Sequence, residues 1–372
     1  MVFPFRCFSM SYVTHDDTSV PGNTTFFSTY TSLTERLSGT APSSQNVPDT
    51  IREYPTTLRA FKLAELNLAT NNFDQSRKIG EGGFGNVHKG IIKSLENPSI
   101  NISVAVKRGK RGLQERRQWE TEVKILGEVK HPNLVKLVGY CNEDSIEESN
   151  WLLVYEYMPN GSLDDHLSGK SNIHLSWSTR LKIAKDAATG LTYLHEGMGV
   201  DRQLIFRDFK PSNILLDRQM NAKLSDFGFA RQGPQDGRTH VSTATVVGTK
   251  GYAAPEYVQT GRLTAKIDVW SYGIFLKELI TGRHPLAQKT PGNKPEGMRW
   301  VCCCAGVGKS KPVVDPRLEG RYSERSLQKV SSIADKCLNK DPKLRPTMSE
   351  VLNMVNEAIV LDNQQPPNGG QT

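Results

Sequence analysis

Long hydrophobic runs are missing from this chain. The longest apolar stretches, WLLVYEYM and YGIFLKELI, stop well short of the about eighteen residues that a membrane span needs, so no crossing segment is expected. The opening MVFPFRCFSMSYV has no basic residue ahead of its apolar run and no small-residue cleavage pattern, which argues against a secretory signal. It begins Met-Val, so the glycine needed for N-myristoylation is absent. Cysteine is scarce, with 6 in 372 residues. Cys7, Cys141 and Cys337 stand alone and Cys302, Cys303 and Cys304 are adjacent, which fits neither a disulfide framework nor the paired ligands of a zinc site. A reducing cytosol is the expected setting, and the sequons at Asn23 and Asn101 are then expected to go unused. A concentrated excess of one charge is also lacking. The net charge is +8, but the basic residues are spread out apart from KRGKRGLQERR at Lys107 to Arg117. Nucleic acid is therefore not an expected partner. That cluster reads as a solvated face, with weak contact to anionic lipid as the other reading. No internal repeat is visible.

What the chain does contain changes character twice. Residues 1 to 57 are rich in Ser, Thr, Asn and Pro, and the chain ends QQPPNGGQT; both ends are expected to be disordered. From about Leu58 a short helix is expected over FKLAELNLATNNF, with Leu63, Leu66 and Ala69 on one face. Strand-like runs follow, NVHKGII, SVAVK, LVKLVGY and LLVYEY, interrupted by one helix, LQERRQWETEVKILGEV. From about Pro159 helices dominate. SWSTRLKIAKDAATGLTYLHEG puts Leu181, Ala184, Ala188 and Leu191 on one stripe, and IDVWSYGIFLKELITG does the same with Val269, Tyr272, Leu276 and Leu279.

The chemistry begins at IGEGGFGNV. Gly80, Gly82 and Gly85, with Glu81, Gly83 and Phe84 between them, have the G-x-G-x-x-G spacing. Glycine lets backbone amides approach phosphate oxygens with no Cβ in the way. Alone this is weak, since a dinucleotide-binding turn shares it and an ordinary glycine-rich hairpin is commoner than either. A dinucleotide turn opens a helix and meets an acidic residue about 20 positions on; here strand-like sequence follows and the matching position is Ile100. That reading fails. Next come VAVK at Val104 to Lys107, and WETEVKIL, which offers Lys107 a helical carboxylate partner: Glu122 as the best candidate, Glu120 as its rival. IFRDFKPSNILL at Ile205 to Leu216, DFG at Asp226 to Gly228 and APE at Ala254 to Glu256 complete the set. Each has a bland reading, a solvated lysine or a structural carboxylate. Their occurrence together in one order leaves little room for coincidence.

This set resembles the signature blocks of protein kinases. Over about residues 58 to 360 the chain resembles the plant receptor-like cytoplasmic kinases, through LRAFKLAELNLATNNF, LVYEYMPNGSLDDHL, IFRDFKPSNILLD, KLSDFGFAR, VGTKGYAAPEYVQTGRLTAKIDVWSYG and DPRLEGRY. The resemblance implies an α+β, bilobal protein kinase fold. A disordered segment (1–57) and a helical extension (58–73) would precede a kinase domain (74–360), with a small β-rich N-lobe over about 74–158, a larger α-helical C-lobe over about 159–360, and a disordered tail (361–372). It implies phosphoryl transfer from ATP, with Mg²⁺, to serine or threonine hydroxyls of protein substrates; Lys210, two places after Asp208, is the Ser/Thr pattern. Asp208 would accept the hydroxyl proton and Lys210 would neutralise charge on the moving phosphoryl group. Asn213 and Asp226 would hold the metal, and Lys107 with Glu122 the phosphates. Ile79, Gly80, Glu81, Gly82, Gly83, Phe84, Gly85, Val87, Ala105, a gatekeeper Tyr155, a hinge from Glu156 to Met158, and Leu215 would enclose the nucleotide. Thr249 would line the hydroxyl site, Asp268 would brace the catalytic loop and Glu256 would pair with Arg345. Arg207 would be free to pair with a phosphate on Ser242 or Thr243, with Thr245 as the lesser candidate.

The expected setting is a monomer in the cytoplasm beneath an upstream receptor kinase. Cys7, among Phe5, Arg6 and Phe8, is a candidate for S-acylation and peripheral contact with the inner face of the plasma membrane, against the commoner unmodified cysteine. Two further departures from the family stand out. Phe206 replaces the usual His or Tyr, and Leu286 to Pro312 keeps a Trp but is short and Cys-rich where relatives have an amphipathic helix. A pseudokinase scaffold is the alternative function. The presence of Lys107, Asp208, Asn213 and Asp226 together argues for an active enzyme, and an adaptor anchored by its tail has no support beyond the long N-terminus.

Overall fold

Alternation of buried and exposed residues in the first third of the chain gives way to helical periodicity, and the structure divides accordingly. The computed structural model describes residues 5–6, 58–82, 85–110, 112–144, 149–199, 202–235, 237–243, 245–286 and 313–364. Cys7 and the 287–312 segment, on which two expectations rest, lie outside the described residues.

The N-lobe is built on five antiparallel strands: β1 (Lys78–Gly82), β2 (Gly85–Lys93), β3 (Asn101–Gly109), β4 (Leu137–Asp144) and β5 (Ser149–Glu156). They run in the order β1-β2-β3-β5-β4, with Phe5–Arg6 and Arg59–Ala60 added in parallel at the two edges. Register decides what each face carries. Val87 pairs with Lys107, Lys107 with Leu153 and Ala105 with Tyr155, which sets Val87, Ala105, Lys107 and Tyr155 on one face. Ile92, Val104, Val106, Leu152 and Val154 take the other and are buried against Phe61, Leu66 and Ala69. The last two belong to α1 (Leu63–Thr70), which therefore roofs the sheet and ends on Asn71 in the left-handed conformation. The strand expected over LVKLVGY begins only at Leu137. Leu134 instead bridges to Leu224, and Val135 donates to the Leu224 carbonyl at 2.9 Å, so tertiary pairing with the C-lobe overrides the local β-pattern.

Helix α2 (Leu113–Glu128) buries Gln118, Trp119, Glu122, Val123 and Leu126, the i, i+4 stripe that an amphipathic helix presents. After the hinge come α3 (Leu163–Leu167), α4 (Trp177–Thr192), a two-stranded ribbon of β6 (Ile214–Leu216) and β7 (Ala222–Leu224), α5 (Pro255–Thr260), α6 (Lys266–Thr281), α7 (Glu324–Cys337) and α8 (Met348–Asn363). The expected α4 stripe is buried, and its last turn widens into a π-turn over Tyr193–Gly197. Helix α6 exceeds its expected stripe, with every residue from Ile267 to Thr281 buried. Buried on every side, it forms the axis of the lobe, and its polar groups Asp268, Lys277 and Glu278 each have a partner there. Tyr272 ties it to α4 by donating to the Ala184 carbonyl at 2.8 Å. Where the chain re-enters the described structure, Asp315 meets Arg180 of α4 at 2.7 Å, both about 2% exposed, and Arg317 adds bonds to the carbonyls of His166 and Leu167. Among the described residues no helix is long and apolar enough to cross a membrane.

Candidate active site

Between the lobes lies a cleft enclosing about 900 Å³, the open solvent at its mouth included. The described residues expected around a nucleotide line it, from Ile79, Gly80, Glu81, Gly82, Gly85 and Val87 through Ala105, Lys107, Glu122, Tyr155, Glu156 and Met158 to Leu215, except Tyr157 of the hinge, whose ring packs against Lys89 instead. Gly83 and Phe84 lie outside the described residues. Gly85 has φ +144°, and a Cβ there would sit 1.8 Å from the Arg108 carbonyl oxygen, so only glycine permits this hairpin. Val135, Ser162, Ser212 and Ser225 also line the cleft and were not expected. Ser212 and Ser225 are chain neighbours of Asn213 and Asp226, a signal that could have found them; Val135 and Ser162 arrive through tertiary packing alone.

The strand lysine finds its predicted partner. Lys107 Nζ lies 3.1 Å from Glu122 and 2.9 Å from Asp226, whereas Glu120 pairs with Arg116 at 3.1 Å on the outer face of α2. Burial alone would lower the Lys107 ammonium, but the Asp226 and Glu122 carboxylates outweigh it and hold it above its usual value. Burial raises Glu122 above the ordinary carboxylate range, opposed by Lys107 and reinforced by Asp226. Tyr155 is pushed well above the usual phenol value, first by burial and then by Glu122. The Glu122 carboxylate also accepts the Phe227 backbone N–H at 3.2 Å, so one buried carboxylate joins β3, α2 and the start of the segment after Asp226.

A second constellation lies below the cleft. Asn213 Nδ2 donates to the carbonyl and the carboxylate of Asp208 at 2.9 and 3.0 Å. Lys210 Nζ is 2.8 Å from the same carboxylate and donates to Thr249 Oγ1 at 2.7 Å, and Thr249 donates back to Asp208 at 2.6 Å. Two non-glycine residues here take left-handed backbone, Arg207 at φ 72° and Asp226 at φ 69°, the kind of strain that a surrounding network must hold in place. Asp268 at the start of α6 supplies part of it. Its carboxylate accepts the backbone N–H groups of Phe206 and Arg207, each at 2.8 Å, and contacts His195 at 2.8 Å. The loop is therefore aimed through its main chain. The Phe206 side chain is fully buried and packs edge-on against Phe227 with ring centroids 5.0 Å apart, in the cluster that includes Leu126 and Leu137.

Arg207 differs from expectation. It is not free: its guanidinium donates to the Phe229 carbonyl at 3.3 Å, the Thr245 carbonyl at 3.4 Å and the Tyr257 hydroxyl at 2.5 Å. All three acceptors are neutral, two backbone carbonyls and a phenol hydroxyl. Ser242 lies in a short ladder opposite Arg262, and the Thr243 N–H donates to the Gly261 carbonyl at 3.1 Å. Glu256 and Arg345 meet in two parallel bonds of 2.6 and 2.7 Å.

The protein kinase domain pattern matches residues 73–355. The chain belongs to the protein kinase family. It is 54% identical over 329 residues to the serine/threonine-protein kinase PCRK1 of Arabidopsis thaliana, covering 87% of this chain and 78% of that relative. It is 56% identical to PCRK2 of the same plant, covering 84% and 74%. An EPD1-interacting receptor-like cytoplasmic serine/threonine-protein kinase, 5D of Gossypium barbadense, is 48% identical, with 80% and 64% covered. The protein is thus a serine/threonine-protein kinase of the receptor-like cytoplasmic group, a family that uses ATP and a divalent metal.

Proposed function

We propose that this kinase relays signals from cell-surface receptors in plant immune or growth signalling, with its domain over about 74–360 and Asp208 as the group that accepts the substrate hydroxyl proton. The observation that carries the assignment of roles is the closed set of Asp208, Lys210, Asn213 and Thr249 next to the Lys107–Glu122–Asp226 cluster. Lys210 stands where charge would develop on the transferred group, Thr249 beside the incoming hydroxyl, and Lys107 against the nucleotide phosphates. The residues suit Mg²⁺. Asn213 and Asp226 both line the nucleotide cleft and offer hard oxygens. That is the arrangement of an ion bound by few protein groups and completed by phosphates. Bound there, it would neutralise phosphate charge.

The test is autophosphorylation of purified Lys107→Met with Mg·ATP. Loss by two or more orders of magnitude is expected from removing a positioning charge. Near wild-type activity would refute the roles assigned here, and a phosphoproteomic comparison of wild type with Asp226→Ala would identify substrates. We take the enzyme to be monomeric and cytoplasmic. Cys7 is the candidate for peripheral membrane contact, and a Cys7→Ser protein that fractionates with membranes as wild type does would exclude it.

A further inference from the structure

Lys223 carries no role in the reaction as described, yet its side chain reaches the edge of the nucleotide cleft. It sits in the middle of β7, and its ammonium lies 2.8 and 2.9 Å from the two carboxylate oxygens of Glu156. Glu156 ends β5 and lines the cleft. The same carboxylate accepts the Lys136 backbone N–H at 2.8 Å, and the Glu156 N–H donates to the Lys136 carbonyl at 3.0 Å. The stretch just before Lys136 is bound to β7 in turn. Asn133 Nδ2 donates to the Ala222 carbonyl at 3.0 Å, the Leu224 N–H to the Asn133 carbonyl at 2.9 Å and the Val135 N–H to the Leu224 carbonyl at 2.9 Å. Three segments far apart in sequence thus close a ring behind the hinge. Its links are main-chain hydrogen bonds, the Asn133 side-chain amide, and two that run through the Glu156 carboxylate: the bond from the Lys136 N–H and the ion pair with Lys223.

We propose that Lys223 is a positioning residue for nucleotide binding, acting through Glu156 by fixing the end of β5 relative to the C-lobe strand β7. This rests on the reading of Glu156 to Met158 as the hinge that holds the base. The main-chain links survive any side-chain change, so removal of Lys223 leaves the fold intact and frees only the angle at which Glu156 enters the hinge. Lys223 touches neither phosphates nor the substrate hydroxyl site, so the phosphoryl-transfer groups keep their geometry.

The measurement is calorimetric affinity for adenosine, a neutral probe whose binding has no phosphate contribution, at low and high salt. The pair is partly exposed, so Lys223→Met should weaken adenosine about two- to fivefold at low salt. Wild-type affinity should fall toward the mutant's as salt screens the pair, while the mutant's stays flat. Lys223→Arg should restore both the affinity and the salt response. Equal affinity of Lys223→Met and wild type would overturn the proposal. So would a loss that shows the wild-type salt response and is not rescued by arginine, which would be a purely structural effect. Wild-type protein that binds ATP but shows no adenosine affinity at all would overturn the hinge reading instead.

Discussion

Replacing Phe206 by histidine tests whether this loop is an intact catalytic loop or a decayed one. The ring is fully buried and edge-on to Phe227. Burying a Phe side chain stabilises by roughly 1.5–3 kcal/mol, and an aromatic pair adds about 0.5–1.5 kcal/mol. Histidine keeps part of both. It also brings a ring N–H and a ring acceptor into an apolar cluster, each costing about 1–3 kcal/mol if left without a partner. A net loss of about 2–4 kcal/mol follows, or a fall in Tm of roughly 3–7 °C for a domain of this size. Activity should respond far less. Asp268 holds the backbone N–H groups of residues 206 and 207 whatever the side chain, and Asp208 is aimed by Asn213, Lys210 and Thr249. Phe206→His should therefore keep kcat within about tenfold at 25 °C, where it is still folded, whereas Asp208→Asn should lose on the order of a hundred- to ten-thousandfold with nucleotide affinity retained. The assay is kcat on a generic protein substrate beside Tm and nucleotide affinity for both variants. Strong activation of an inactive wild type by Phe206→His would refute the reasoning, as would Asp208→Asn with near-normal turnover.

Glu278 of α6 is buried, and burial pushes its carboxyl up to about 8 even though the Tyr252 hydroxyl donates to it at 2.5 Å. Between the ordinary carboxylate range and about 8 the folded state keeps a proton that the unfolded chain releases, so this group's contribution to stability falls as pH rises. Denaturant unfolding should show wild type losing up to about 1.4 kcal/mol per pH unit relative to Glu278→Gln between pH 5.5 and 7.5; parallel pH profiles would reject this. Phosphorylation of the activation segment at Ser242 or Thr243, or less favourably Thr245, should exchange the neutral acceptors of Arg207 for a phosphate and strengthen its order. Phosphatase treatment should then lower kcat several-fold or more, and equal activity of treated and untreated enzyme would dismiss the idea.

Much of the site was legible in the chain because the chemistry needs particular residue types at short, fixed separations. The glycines of IGEGGFGNV, the Asp208, Lys210 and Asn213 spacing and Asp226 of DFG are each local, and a family resemblance could order them. Local patterning also marked the sheet and the helices α2, α4 and α6. The sequence preferred Glu122 to its rival Glu120, two residues away on one helix, but it could not show the docking of α2 against β3 that turns Glu122 inward and leaves Glu120 to Arg116. Nor could it show that the Leu134 region pairs with β7 rather than extending β4, since the competing hydrogen-bond partner lies about ninety residues away. Arg207 looked free because its three acceptors come from Phe229, Thr245 and Tyr257, none near it in the chain. The same holds for Lys223, an ordinary strand lysine until the lobes are assembled. Sequence by itself determined which chemical groups this kinase carries. Tertiary structure decided which of them meet, because hydrogen bonds and ion pairs act over a few ångströms of space while the chain records only order.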